Sequence, residues 1–308
     1  MKPHVFAGNP LDRGDTQRRD QAWLDEQVRN PKSRFLPLWQ LNVLVQTDKD
    51  CRLGWLAPGD LARLQVDVPP VFLGVLDAVA HFALDVSQVG DPHHELELDE
   101  NWRFEESRSA ATQLSTPEAG ILAQSRAQLD WHKRHQFCSV CGQRTAQGRG
   151  GQVRKCPACK AEHFPRTDPV AIMVVTDGER CLLGQSRGRL ARTQTYSALA
   201  GFIDQGECIE EAVRREVKEE AGIEVGEVRY HSSQPWPFPS SLMIGCHGRA
   251  LTTGIRKDDA EMLDVQWFSR ADVLAALREE HPGLRVPAPI AIAHHLIKAW
   301  AEGQVRWE

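Results

Sequence analysis

Runs of apolar residues broken by short polar turns dominate the first third of the chain. Residues 36–46, 51–56 and 71–86 read as strands, with turn-forming residues at Asp48-Lys49-Asp50 and Pro58-Gly59-Asp60. The pattern changes at Thr116-Pro117-Glu118, a cap and first turn, after which Ile121, Leu122, Ala127, Leu129 and Trp131 supply the apolar positions of a helix. A second β-rich block opens at Val170: a strand over 170–175, a turn at Asp177-Gly178, strands over 181–184 and 195–199. Strands over 242–251 and 260–268 follow. A helix is then predicted from Ser269 through Leu277, and a last one from about Pro289 to Glu302. Strands and helices mixed in this way predict an α+β chain of more than one domain.

One stretch, 201–223, departs from this by its charge. Six of the seven residues from Arg214 to Glu220 are charged, and Glu216, Glu219 and Glu220 stand at i, i+3 and i+4, one face of a helix. Three like charges so close repel unless a cation neutralises them, and hard divalent ions take oxygen ligands of this kind. An ordinary solvated acidic face is the competing reading. Ala212, Val213 and Val217 predict the buried stripe of the helix, with the glutamates pointing away from it. Gly201 and Gly206 permit a bent lead-in loop, and Gly222 is placed as the C-terminal cap. Arg215 is positioned to orient a carboxylate.

Cysteine spacing supplies a second site. Cys138-x2-Cys141, fourteen further residues, then Cys156-x2-Cys159 suit a tetrahedral four-thiolate zinc site. Four protein ligands leave no open position, so this zinc is structural, closing a ribbon too short to fold on its own burial. His163 is read as a bystander. Cys181, Cys208 and Cys246 are read as small buried side chains, and Cys51, His93 and His94 as ordinary core and surface residues. Downstream, Pro235, Pro237 and Pro239 predict an extended backbone presenting Trp236 and Phe238, either as a rigid packed loop or as flat faces for an aromatic ring.

Composition narrows the classes. With 308 residues, 41% hydrophobic and 26% charged, the chain is that of a soluble globular protein of about two domains. Its net charge of −5 argues against binding nucleic acid or membrane through a basic surface. No run approaches the ~20 apolar residues of a membrane span, and the start lacks the apolar core of a secretion signal, so a cytoplasmic location is expected.

The stretch 201–223 matches the pattern Gly-x5-Glu-x7-Arg-Glu-aliphatic-x-Glu-Glu-x-Gly-aliphatic at Gly201, Glu207, Arg215, Glu216, Val217, Glu219, Glu220, Gly222 and Ile223. In this it resembles the Nudix hydrolases. The four-cysteine ribbon and the segment Ser233 to Ser241 make it similar to their NADH pyrophosphatase branch, which includes NAD-capped RNA hydrolases. The openings 6–13 and 33–39 are similar to those of some members.

That resemblance implies a homodimer built of an N-terminal Nudix-like α+β domain (1–130), a zinc ribbon (131–165) and a catalytic Nudix α/β/α sandwich with a mixed sheet (166–308). It implies hydrolysis of NADH, and of NAD⁺, to AMP and NMNH or NMN, with NAD-capped RNA as a further substrate. Arg215, Glu216, Glu219 and Glu220 match catalytic positions. Glu216, Glu219, Glu220, Glu261 and the Ala200 carbonyl match ligands of several Mg²⁺ or Mn²⁺ ions, and one Zn²⁺ per subunit is structural. Matching substrate contacts are Phe164, Phe202, Gln234, Pro235, Trp236, Pro237, Phe238, Pro239, Ser240, Ser241, Glu261, Ala293 and Arg108. Gly151 stands where some members have an acidic contact. Two rival readings remain: a non-catalytic dinucleotide- or RNA-binding module, against which the complete set of box carboxylates speaks, and a Nudix hydrolase of another substrate such as ADP-ribose, against which the Trp236 segment speaks.

Overall fold

The computed structural model describes residues 3–187 and 195–307. They fall into two compact units, Met1–Thr167 with Trp236–Ser240, and Asp168–Pro235 with Ser241–Glu308.

The first unit carries strands β1 (Arg34–Trp39), β2 (Asn42–Gln46), β3 (Arg52–Leu53), β4 (Val71–Leu76), β5 (Val79–Asp85) and β6 (Trp102–Glu105). Their order is β3-β2-β1-β5-β4, with β6 on β2; β1 and β5 are parallel and the other pairs antiparallel. Helices α1 (Gln21–Arg29), α2 (Pro58–Leu64), α3 (Pro92–Glu95), α4 (Ser107–Gln113) and α5 (Thr116–Arg134) accompany the sheet, and α5 packs on β4 and β5. Phe35, Phe72 and Phe82 form the aromatic centre of its core, all but inaccessible to solvent.

Residues 36–46, expected as one strand, fold into a hairpin. Gln40 and Leu41 both take positive φ (53° and 65°) and join β1 to β2 at Trp39 and Asn42. Two-residue turns of this kind favour Asn and Gly, so Gln-Leu gives no turn signal. Here Ser87 Oγ accepts from the Gln40 N–H and Ser107 Oγ donates to the Leu41 carbonyl. Strands β7 (Ala146–Gly148), β8 (Val153–Lys155) and β9 (Glu162–His163) form an antiparallel ribbon in the same unit.

The second unit is a sheet of β10 (Asp168–Thr176), β11 (Arg180–Ser186), β12 (Leu199–Phe202), β13 (Val225–Trp236), β14 (Ser241–Ala250) and β15 (Met262–Ser269). The order is β13-β14-β10-β11-β15, with β12 on β10. Parallel pairing of β10 with β14 beside antiparallel pairs makes the sheet mixed. Along β10, Ile172 and Val174 enter one apolar cluster with α7 (Arg270–Leu277) and α8 (Ile292–Ala301), while Ala171, Met173 and Val175 enter the other, with α6 (Ile209–Ala221). Successive side chains point to opposite faces and both faces are covered, so the strand reads as an unbroken apolar run. This is the expected α/β/α sandwich. Trp300 closes one side, buried, its indole N–H donating to Thr176 Oγ1 at 3.0 Å.

Three local expectations are corrected. The ladder of β12 begins at Leu199, and Thr195 and Ser197 make only isolated bridges. Pro235 lies in β13, at the sheet edge where a missing N–H costs no ladder bond, but the chain then turns over 237–240 instead of running on extended, with Phe238-Pro239 cis. Cys208 is exposed, because it caps the N-terminus of α6 instead of facing the core.

Candidate active site

The box helix α6 is amphipathic as expected, but its glutamates do not all face away from the core. Ala212, Val213 and Val217 are fully buried, and Glu216 and Glu220 are buried too, at 9% and 7% exposure; Glu219 is exposed. The cause lies in β12, which packs along α6. A β-carbon on Gly201 would come within 1.9 Å of the Glu216 carboxyl group, so the glycine leaves the space that the carboxylate fills. Gly222 caps the far end with φ 71°, its N–H donating to the Lys218 carbonyl.

Arg215 ties the site together. Its Nε and Nη2 donate to the two oxygens of Glu207 at 2.6 and 2.7 Å, its Nη1 to Glu216 at 2.7 Å and Glu219 at 3.1 Å, and its Nη2 also to the Phe202 carbonyl at 2.9 Å. Paired in this fork, Glu207 is held down at about 2 and Arg215 is pushed above its ordinary value. Glu207 appeared in the sequence pattern without a role; its role here is to anchor the lead-in loop to the helix.

Glu220 has the opposite electrostatics. Burial, then the charges of Glu216 and Glu261, push its carboxyl up to about 8, opposed by a hydrogen bond with the Ala200 backbone. Glu216 is raised as well, first by burial. Among the described residues Glu220 Oε2 has no hydrogen-bond partner. A buried, partnerless oxygen within the field of further carboxylates fits a hard divalent cation. Glu261 is exposed, yet its charge reaches both buried glutamates.

The thiols of Cys138, Cys141, Cys156 and Cys159 gather with all sulfurs within 4.8 Å of one another. Cys138 to Cys159 is 3.6 Å and Cys141 to Cys156 is 3.5 Å, close to the ~3.8 Å edge of a tetrahedron of ~2.3 Å zinc–sulfur bonds. The two knuckles repeat one geometry: the Gly142 N–H donates to the Cys138 carbonyl and the Lys160 N–H to the Cys156 carbonyl, and both Gly142 and Lys160 have positive φ. The residues therefore fit zinc. His163 is no bystander: its Nε2 lies 3.3 Å from Cys138 Sγ, the distance of a supporting hydrogen bond.

The aromatic segment belongs to the first unit. Trp236 and Phe238 are half-buried, and both pack edge-on against Phe6 at 5.7 Å. The Arg108 guanidinium lies 5.4 Å from the Trp236 ring and 4.2 Å from that of Phe238, so these three predicted residues do come together. Arg126, not singled out in the sequence, sits 4.5 Å from the Phe238 ring and donates to the Pro237 carbonyl.

Pro237 is buried, Pro239 exposed, and Pro235, Ser240 and Ser241 intermediate. Gln234 is fully buried: its Nε2 donates to the Ile290 carbonyl and its Oε1 accepts from the Ile292 N–H, which fixes the start of α8 beside the buried Ala293. Phe164 and Phe202 are 55% and 60% exposed, unusual for phenylalanine. Gly151 has φ 94°, and a β-carbon there would meet Val71 at 2.9 Å and His132 at 3.1 Å, so the fold leaves no room for an acidic side chain.

Comparison with known families agrees with this geometry. The family model of the NUDIX domain matches residues 165–286, that of the NADH pyrophosphatase-like rudimentary NUDIX domain residues 32–131, and that of the NADH pyrophosphatase zinc ribbon domain residues 133–164. The chain belongs to the Nudix family. Within it, the chain is similar to NAD-capped RNA hydrolase NUDT12 of Macaca fascicularis, 36% identical over 96% of this chain and 73% of that one. It is also similar to the mitochondrial NAD(P)H pyrophosphatase NUDT13 of Mus musculus, 42% identical over 72% and 68%, and to NAD-capped RNA hydrolase NudC of Pseudomonas aeruginosa, 40% identical over 54% and 56%. No helix among the described residues is long and apolar enough to cross a membrane.

Proposed function

We propose that this protein hydrolyses the pyrophosphate bond of NADH, and of NAD⁺, to AMP and NMNH or NMN, and that NAD-capped RNA is a further substrate. The observation that carries the reading is the buried Glu220 carboxylate, partnerless at Oε2 and repelled by Glu216 and Glu261. Glu216, Glu219, Glu220 and Glu261, with the Ala200 carbonyl, would hold the divalent ions, Mg²⁺ or Mn²⁺. When bound, such ions supply positive charge against the pyrophosphate and make water more acidic. Arg215 holds Glu216 and Glu219 in place, so that the carboxylates need little reorganisation when substrate arrives. Water adds to one phosphorus, the phosphoanhydride bond breaks, and no covalent nucleophile is required.

Trp236, Phe238 and Arg108 are assigned to the substrate, together with the flanking residues 234–241 and Ala293. The exposed rings of Phe164 and Phe202 suit stacking on a base or nicotinamide. The domain boundaries 1–130, 131–165 and 166–308, a homodimer and a cytoplasmic location complete the proposal. Reduced thiols gathered for zinc support the location, and family resemblance supports the dimer. Incubation with NADH, NAD⁺ and ADP-ribose under Mg²⁺ or Mn²⁺, with chromatography of the products, tests it. AMP plus NMNH, formed fastest from NADH and abolished by chelator, is expected; no cleavage of either dinucleotide overturns the reading.

A further inference from the structure

The first unit holds a cleft of about 580 Å³ that the hydrolytic reading leaves without a role. Three cations line it, Lys133, Arg144 and Arg154, and so do the carboxylates Asp67 and Asp85. Arg154 is half-buried and rigidly held: its Nε donates to Thr145 Oγ1 at 2.7 Å, its Nη2 to the Thr145 carbonyl at 2.9 Å and its Nη1 to His132 Nδ1 at 3.1 Å. Five N–H groups less these three leave two donors, one on each terminal nitrogen. Among the described residues no carboxylate pairs with Arg154, Arg144 or Lys133.

A pre-organised guanidinium with free donors, beside a second guanidinium that repels it, presents the mirror image of a carboxylate cluster awaiting a metal. It awaits an anion. The planar fork suits a phosphate monoester, which accepts two parallel N–H bonds. A bare phosphate would leave most of the cleft empty, since cavities of 300–1,000 Å³ ordinarily enclose an organic ligand. Asp67 and Asp85 cannot face the phosphate favourably, but they can accept from the donor groups of a base or sugar. We infer that this cleft binds a small organic phosphate of mononucleotide size, its phosphate on Arg154 and Arg144, separately from the box carboxylates.

Isothermal titration of AMP into the zinc-loaded full chain, with no other divalent ion added, tests this. One site per chain is expected. Its affinity should fall at least tenfold in the double variant Lys133→Glu/Arg144→Glu, whose side chains are exposed and leave the fold intact by circular dichroism. Arg154→Lys, which keeps the charge and removes the fork, should weaken binding as well. Phe202→Ala, which alters the proposed hydrolytic site, should leave this binding unchanged. Binding that survives the double variant, or is lost in Phe202→Ala alone, assigns the AMP to the hydrolytic site and overturns the inference. So does the absence of binding at millimolar AMP, while equal affinity for inorganic phosphate overturns the organic part of the ligand.

Discussion

A β-carbon placed on Gly201 would lie 1.9 Å from the carboxyl carbon of Glu216. The first residue of the box is therefore the space that its central carboxylate occupies, and strand β12 and helix α6 are matched at that point.

Gly201→Ala should consequently displace Glu216 without touching the zinc ribbon. A shift of ~1 Å at a reacting centre costs about 100-fold in rate, and overpacking of this kind costs roughly 1–3 kcal/mol. Turnover of NADH and the melting temperature report both effects; native turnover would show that Glu216 is not needed where it stands.

Glu220→Gln separates stability from activity. Without divalent ions the variant should melt higher than the native protein near neutral pH, because an amide needs no proton to enter this buried, negatively charged surrounding, while turnover falls by about 100-fold or more. A lower melting temperature in the metal-free protein would contradict the electrostatics described here.

Arg215→Lys keeps the positive charge but not the fork. Glu207, Glu216 and Glu219 would lose a common anchor, and kcat should drop roughly 10- to 100-fold with KM little changed. Equal kcat in the two proteins would reduce Arg215 to a surface ion pair.

Cys138→Ser removes one thiolate from the set of four and the acceptor of the His163 contact. Zinc content by metal analysis should fall to background, with a stability loss of several kcal/mol at least, given the ~10–16 kcal/mol of structural zinc sites. A folded, fully active, zinc-free variant would refute the structural role.

His132 makes the first unit sensitive to acid. Its Nδ1 accepts from Arg154, which can only donate, so Nε2 carries the proton towards the Gly151 carbonyl at 2.8 Å and the ring is neutral. Burial pushes it down to about 4. The unfolded ring, near 6.5, takes up its proton first, so this contribution is fully present above about pH 6.5 and is lost as pH falls towards 4, about 3 kcal/mol in all. Melting temperatures from pH 4 to 7 should show a shallower slope in His132→Gln than in the native chain. Parallel slopes would exclude His132 as the cause.

Both candidate sites are legible in the sequence because their chemistry is local: four glutamates and an arginine within fourteen residues, and two pairs of cysteines on matching knuckles. What escapes is set at a distance. Burial of Glu216 and Glu220 depends on a strand that ends before α6 begins, and helical periodicity alone assigns those residues to solvent. Phe6 and Arg126 meet Phe238 from more than a hundred residues away, with no spacing to reveal it. The turn at Gln40-Leu41 lacks the residues that announce such turns, and Gly151 reads as a lost contact until its φ and its neighbours are seen.

Trp236–Ser240 belongs to the first unit although the residues on both sides of it belong to the second. Chain order and order of completion therefore differ. As the protein leaves the ribosome, Phe6, Arg108 and Arg126 are made early and wait for the rings of Trp236 and Phe238, which appear some hundred residues later. The amino-terminal unit cannot finish its own aromatic cluster until half of its neighbour has been synthesised, and a gene cut at residue 167 would leave the first product short of a part that the second carries.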